Sequence, residues 1–348
     1  MHSAEKEEKQ PFSWLLAIAD DLTGALETGA AFADHGLGAC VTTHSQMVKQ
    51  PPDQSVYIIN SETRHCSSAE AEQKLAMISQ QAARFSPGLI YKKTDSTLRG
   101  NIHAELKGLS LSFPQHRILY APAYPDMGRT VQDGQLLVHG TPVQETDFGK
   151  DRLNPVSSSD VRALLKGLPG SVLDGVVNDD VAKAAHEILH TSSVIAAGPA
   201  ALAKALAAQM GIPSRQNAWQ RIRRCLIFNG SLHPVSRDQI QWAQQNGVFD
   251  DDWKYFDPPL TGKGTARARE AGVEVYQQFH SQKFDGLIVF GGDTALGVHS
   301  AFGSHPFRPL GELLPGVPVS TDGNFTWITK AGGFGPPDVL REIKRLLT

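Results

Sequence analysis

Eight short apolar runs punctuate the chain, and most of them end in polar residues or glycines. They are WLLAIA (14–19), GACVTT (38–43), SVYIIN (55–60), GLIYKK (88–93), RILYAP (117–122), SVIAAG (193–198), RCLIFNG (224–230) and DGLIVFGG (285–292). Most are continuous rather than alternating in polarity, which suits strands buried on both faces, as in parallel sheets. Segments of helical periodicity lie between them. Residues 67–85 open with Ser67-Ser68-Ala69-Glu70, a capping-box pattern, and place Leu75, Ile78, Ala82 and Phe85 at helical spacing. Residues 336–347 start with two prolines and repeat Val339, Ile343 and Leu346 in the same way, which predicts a proline-started helix. Buried strands alternating with helices predict an α/β fold.

A chain of 348 residues exceeds one ordinary core. The expectation is two three-layer domains with mostly parallel sheets and a cleft between them. The polar, proline-containing stretch QMGIPSRQNAWQR (209–221) supplies the break. Residues 1–13 read as a frayed tail, 14–215 as the first domain and 216–348 as the second. Residues 123–159, rich in Gly, Pro, Asp and Thr, interrupt the rhythm and read as a long functional or disordered loop.

Composition excludes several partners. A net charge of −3 offers no electrostatic case for nucleic acid or an anionic membrane. Cys40, Cys66 and Cys225 are scattered without a C-x-x-C pair, so neither a zinc knuckle nor a redox dithiol is signalled, and a reducing cytoplasm is the expected location. No apolar run approaches bilayer length, and the charged N-terminus lacks the apolar segment of a signal peptide.

The chemistry concentrates where strands end. In α/β sheets ligands bind outside the carboxyl ends of strands. Asp20-Asp21 close the first run, and adjacent carboxylates there can bind sugar hydroxyls, hold Mg²⁺ or take a proton, although Asp21 or Thr23 also reads as a simple helix cap. Arg64 follows the third run; taken alone it reads as a surface arginine. Lys92, Lys93, Asp95, Ser96, Thr97 and Arg99 follow the fourth, with a helix starting near Arg99–Asn101, so backbone N–H groups and positive charge converge as in an anion site. In the last 120 residues FNGSLHP, IVFGGDTALG and ITKAGGFGPPDVL set glycines between a strand and the next element. Any one is an ordinary turn, but three together read as a cradle for nucleotide phosphates. Neither a Walker A pattern nor G-x-G-x-x-G occurs.

Taken in order from about residue 14 to 340, IADDLTGA, KKTDSTLRGN, APAYPDMGRTVQDG with RLNPV, and GGDTALG with TKAGGFG resemble the four-carbon acid sugar kinases. The resemblance implies a sugar-acid-binding N-terminal domain and a nucleotide-binding C-terminal domain. It implies phosphorylation of a tetronate such as D-threonate, D-erythronate or an oxo-tetronate on its terminal hydroxyl, with ATP and Mg²⁺. Asp20, Arg64, Lys93 and Arg99 would face the sugar acid, and Asp21 or Asp95 would be the catalytic aspartate. Ser231, Gly291, Gly292, Asp293, Thr294, Gly332 and Gly333 would face ATP, and no metal ligand is assigned. Gly128, Arg129 and Thr130 match a family motif in the long loop, which could close over the substrate. The chain has Ala331 where the family pattern carries a serine, and its second domain is shorter around 247–265. These departures motivate the alternative of a sugar-acid sensor that does not transfer phosphate. The expected partner is a small sugar acid, with room for a homodimer.

Overall fold

All eight apolar runs form strands in the computed structural model, which describes residues 14–43, 55–151, 153–210 and 219–348. The first half runs β1 (Trp14–Ala19), α1 (Leu22–Ala33), β2 (Ala39–Thr43), β3 (Ser55–Asn60), α2 (Ser68–Ala83), β4 (Leu89–Lys93), α3 (Ile102–Ser110) and β5 (Arg117–Tyr120). A short antiparallel excursion follows, β6 (Arg129–Gln132), β7 (Gln135–Val138) and β8 (Thr141–Pro142), then β9 (Gly170–Val172), α4 (Asn178–Leu189), β10 (Val194–Gly198) and α5 (Ala200–Gln209). The second half runs β11 (Cys225–Asn229), α6 (Pro234–Gln245), β12 (Trp253–Phe256), α7 (Gly264–Gln282), β13 (Gly286–Phe290), α8 (Gly292–Ala301), β14 (Arg308–Leu314), β15 (Val317–Thr321), β16 (Thr326–Lys330) and α9 (Val339–Leu347).

The first sheet has the order β2-β3-β1-β4-β10-β5-β9 and is parallel throughout. The second has the order β12-β11-β13-β16-β15-β14, parallel through β16 and antiparallel at β15 and β14. In each sheet the strand order reverses beside the first strand of the half, so the crevice for a ligand opens beyond the ends of β1 and β4 in one and β11 and β13 in the other.

Period-2 alternation divides the core. Leu16 and Ile18 of β1 pack with α2, α3 and the β6–β8 excursion, while Leu15, Ala17 and Ala19 face α1, α4 and α5. The second sheet turns Leu226, Phe228, Leu287 and Val289 toward α7 and α8, and Cys225, Ile227 and Ile288 toward α6 and α9. The two facing helical layers belong to one continuous apolar cluster. Helix α1 lies at its centre with ten of its twelve residues buried, as its Ala- and Gly-rich sequence permits. A Cβ on Gly29 would overlap the ring of Pro309, so α1 meets β14 closely only because residue 29 is glycine. Val41 and Phe307 exchange backbone hydrogen bonds of 2.8 and 2.9 Å, which ties the edge of the first sheet to the second half. The cleft between the halves is therefore confined to the carboxyl ends of the strands.

Several expectations need correction. Residues 123–159 are not a structureless loop; they hold β6–β8 and three 3-10 turns around buried Val131, Leu136, Val138 and Val143. The hairpin turn is Asp133-Gly134, both with positive φ, a two-residue pattern that matches strand twist. The C-terminal helix starts at Val339 with Asp338 as its cap, so Pro336 and Pro337 precede it rather than open it. Strands β9, β12, β14, β15 and β16, like β6–β8, lie outside the eight runs. The capping box at Ser67 and Glu70 is present. The tail expected at 1–13 and the boundary expected at 215/216 lie outside the described residues. Among the described residues, no helix is long and apolar enough to cross a membrane.

Candidate active site

Because Ala19 pairs with both Asn60 and Lys93, the loops after β1, β3 and β4 emerge side by side. Arg64 joins them. Its Nε and Nη2 donate to the two oxygens of Asp20 at 2.7 and 2.9 Å, and its Nη1 donates to Asp21 Oδ2 at 2.5 Å. The guanidinium is thus a clamp on both carboxylates. Asp20 is 1% exposed and sits behind Arg64. Burial alone would raise its carboxyl, yet Arg64 and Lys92 hold it below the ordinary range. Asp21 caps α1, accepting from Gly24 N at 2.9 Å.

The Lys93–Arg99 turn closes on its own carboxylate. Asp95 Oδ1 accepts from Thr97 N at 2.9 Å and from the Thr97 hydroxyl, and Arg99 Nη2 donates to Oδ2 at 2.8 Å. Burial is outweighed by Arg99 and Arg64, and the Asp95 carboxyl lies well below its usual value. The donors expected to receive an external anion are partly satisfied by Asp95. Glu62 and Leu98, one in each loop, have φ of 52° and 64°, backbone strain of the kind that collects at functional turns. Beneath both loops Lys92 and Glu105 form a fully buried ion pair at 3.1 Å, and Thr63 donates to the same carboxylate.

An open cavity, with about 530 Å³ of empty space when the adjoining solvent is included, lies over this platform. Asp21, Arg64, Lys93, Asp95 and Arg99 line it from the first half, and Gly316, Ala331 and Phe334 from the second. A Cβ on Gly24 would stand 2.8 Å from both Asp21 Oδ1 and Lys93 Nζ, so the glycine leaves room for the ammonium beside the carboxylate. Glu27 and Tyr124 also line the cavity and were not singled out from sequence. The one available signal for Glu27 is its place on α1 one turn beyond Thr23. Buried Arg129, from the motif in the excursion, lies between the rings of Phe148 and Phe334 at 5.8 and 5.1 Å, which links the first half to the second beside the site.

The three glycine loops meet at one place. A Cβ on Gly332 would collide with Ser231 Oγ, and one on Gly230 with the Thr294 side chain. Gly291, with φ of +98°, approaches Ser231 so that a Cβ would lie 3.3 Å from its amide nitrogen. Gly291 N also donates to Lys330 O at 2.9 Å. Gly333 stands against His233 rather than Ser231. Lys330 was missed as a site residue although it stands in the ITKAGG stretch. Burial lowers its ammonium to about 8, and it donates to Ala331 O at 2.9 Å. Asp293, in the first turn of α8, reaches across to His65 Nε2 at 3.1 Å, which lowers the Asp293 carboxyl and raises His65.

The head of α8 adjoins the head of α1. A Cβ on Gly292 would stand 2.9 Å from Thr23 Oγ1 and 3.4 Å from Asp21 Oδ2. Thr23 Oγ1 is buried and has no hydrogen-bond partner among the described residues. Two helix N-termini, an orphaned hydroxyl and a glycine-formed gap suit a polyanion chemically.

Residues 15–171 match the model of a sugar-binding N-terminal domain, and residues 257–340 that of a nucleotide-binding C-terminal domain. A D-threonate kinase of Salmonella typhimurium is 27% identical over 94% of this chain and 96% of its own. A D-erythronate kinase of Heliobacterium modesticaldum is 28% identical over 65% of this chain and 59% of its own. A crystal structure from Salmonella typhimurium shares the fold with a TM-score of 0.77 at 19% identity, covering 97% of this chain and 100% of that one.

Proposed function

The chain belongs to the four-carbon acid sugar kinase family, and from that premise we propose that it uses ATP to phosphorylate a tetronate, D-threonate, D-erythronate or an oxo form, on the terminal hydroxyl. The observation that carries the reading is a cavity lined from both halves, with a cationic and carboxylate platform on one side and, on the other, Ala331 and Phe334, which flank the Gly332-Gly333 turn.

Phosphoryl transfer asks mainly for positioning and charge stabilisation. Lys93 and Arg99 meet the substrate carboxylate, Lys93 as a point charge and Arg99 through Nη1, where the incoming carboxylate competes with the 3.4 Å contact to Asp151 Oδ2. Arg64 acts through Asp20 and Asp21, holding both in place, and Asp21 orients the acceptor hydroxyl. Asp95 keeps Arg99 in register. Ser231, Gly291, Gly292, Thr294, Gly332 and Gly333 hold the nucleotide phosphates, with Asp293 at the rim and Lys330 gaining a phosphate partner for its buried ammonium.

Mg²⁺ takes one or two carboxylates and keeps several waters and phosphate oxygens. Among the described residues no group of three or more His, Cys, Asp or Glu is set to hold a metal. Asp21, beside the head of α8, and Asp293 are the side chains that would hold it, and it would neutralise phosphate charge there.

The test is ADP release and thermal shift over threonates, erythronates and oxo-tetronates. ADP formed with one of these acids above the ATP-only background supports the reading; none with any of them overturns it. The apolar Ala331 in the cavity wall favours the sensor reading, in which a tetronate shifts the melting temperature while ATP is left intact.

A further inference from the structure

Three carboxyl side chains from the first half line the cavity: Asp21, Asp95 and Glu27. The first two are committed. Asp21 accepts from Gly24 N and Arg64, and Asp95 accepts from Thr97, Arg99 and the backbone. Arg99 and Arg64 hold the Asp95 carboxyl well below its usual value, which makes it a weak proton acceptor. Glu27 has neither constraint. It stands on α1 on the face it shares with Thr23, four residues earlier, and no hydrogen bond to its carboxyl occurs among the described residues.

Charged groups face Glu27 from every side: Lys93 at the end of β4, Asp21 at the head of α1, Lys204 on α5 and Glu312 on β14. Tyr124 lines the same cavity and meets Lys204 at 3.4 Å. Lys204 is already paired with Glu312 at 2.6 Å, which leaves Lys93 as the principal counter-charge. Burial outweighs Lys93, with Asp21 and Glu312 adding to it, and the Glu27 carboxyl is raised to about 7. A proton acceptor works best when its affinity matches the working pH.

We propose that Glu27 is the general base of the transfer, taking the proton of the sugar-acid hydroxyl as that oxygen attacks the γ-phosphorus. The proposal rests on the kinase reading above. The hydroxyl oxygen forms the new P–O bond. The bond from the γ-phosphorus to the β,γ-bridging oxygen breaks, and its electron pair stays with ADP. The hydroxyl proton ends on Glu27 and returns to water through the open cavity mouth. Asp21 is then a positioning and metal-facing group rather than the base. Lys93 has a second consequence: an arriving substrate carboxylate competes for it, which raises the proton affinity of Glu27 as the acceptor binds.

The test uses the full-length protein with ATP, Mg²⁺ and the tetronate panel, with kcat measured from about pH 5.5 to about pH 9. In the wild type, kcat rises with pH through a single ionisation near or above 7. Glu27→Gln loses that limb and about 10²- to 10⁴-fold in kcat, while ATP and tetronate dissociation constants by calorimetry stay within about threefold. Asp21→Asn lowers kcat and keeps the limb. If Glu27→Gln holds kcat within about threefold, or keeps the limb, the proposal fails while the kinase reading stands. If the wild type makes no ADP with any tetronate, the kinase reading fails and the proposal falls with it. Should Glu27→Gln not fold, the Glu27→Asp profile decides: a limb that moves supports the assignment, and an unmoved one overturns it.

Discussion

Arg64 lines the cavity and also holds its carboxylate neighbours in place. Its three nitrogens are spent on Asp20 and Asp21. Arg64→Ala leaves the buried Asp20 carboxylate without its main partner, so a loss of about 3–5 kcal/mol is expected in urea unfolding. Arg64→Lys, with a charge but no fork, restores only part of it; a loss under about 1 kcal/mol for Arg64→Ala would contradict the clamp. Glu27 has the opposite stability sign. Its carboxyl is raised from 4.5 in the unfolded reference to about 7 in the fold, so ionising it costs the folded state. That cost is absent at pH 4, grows as pH rises from the unfolded value through about 7, and is constant above. Glu27→Gln should therefore gain in melting temperature over the wild type between pH 4 and pH 8, and an unchanged difference would show a normal carboxyl. The DD pair and the KKTDSTLR cluster were legible because polar residues closing a buried strand need a reason. Glu27 was not, because one acidic residue on an amphipathic-looking helix reads as a solvated face until a second sheet covers that face.

Among the elements, the glycine loops and the hairpin separate function from stability. Gly332→Ala pushes a methyl into Ser231, so the Michaelis constant for ATP should rise at least about tenfold while tetronate binding by calorimetry is retained. If tetronate binding falls instead, the loop serves the other substrate. Gly134→Ala demands φ of +74° from a residue with a Cβ and presses on the Arg162 side chain. A loss of about 1–2 kcal/mol in urea unfolding with unchanged ATP affinity is expected, because the turn is at the opposite end of the hairpin from Arg129, the residue that reaches Phe334. The Asp133-Gly134 pair was a readable turn signal inside a stretch that looked featureless, since β6 and β7 are each only four residues long. Strand β14 has no continuous apolar run to mark it: RPLGELL alternates, as an antiparallel edge does.

At the scale of the whole molecule, α1 belongs to both halves at once. Domains joined by a large apolar interface do not move as free bodies, so a wide hinge between the halves is not expected. The two halves should also unfold together. Fluorescence of variants keeping only Trp14, in β1, or only Trp327, in β16, should give coincident urea midpoints; two separated midpoints would mean the shared core contributes little. What the sequence by itself determined was local: apolar runs set eight of the strands, polar closures set the loops that line the cavity, and glycine spacing set the turns that meet at Ser231, because each depends on neighbours within a few residues. The tertiary structure alone decided that Arg64 is consumed by Asp20 and Asp21, that Gly292 abuts Thr23, and that Glu27 lies at a seam between two sheets. Those facts follow from burial and charge contributed by segments up to about 290 residues apart, as Asp21 and Glu312 are around Glu27, and no local pattern encodes the dielectric a side chain will meet.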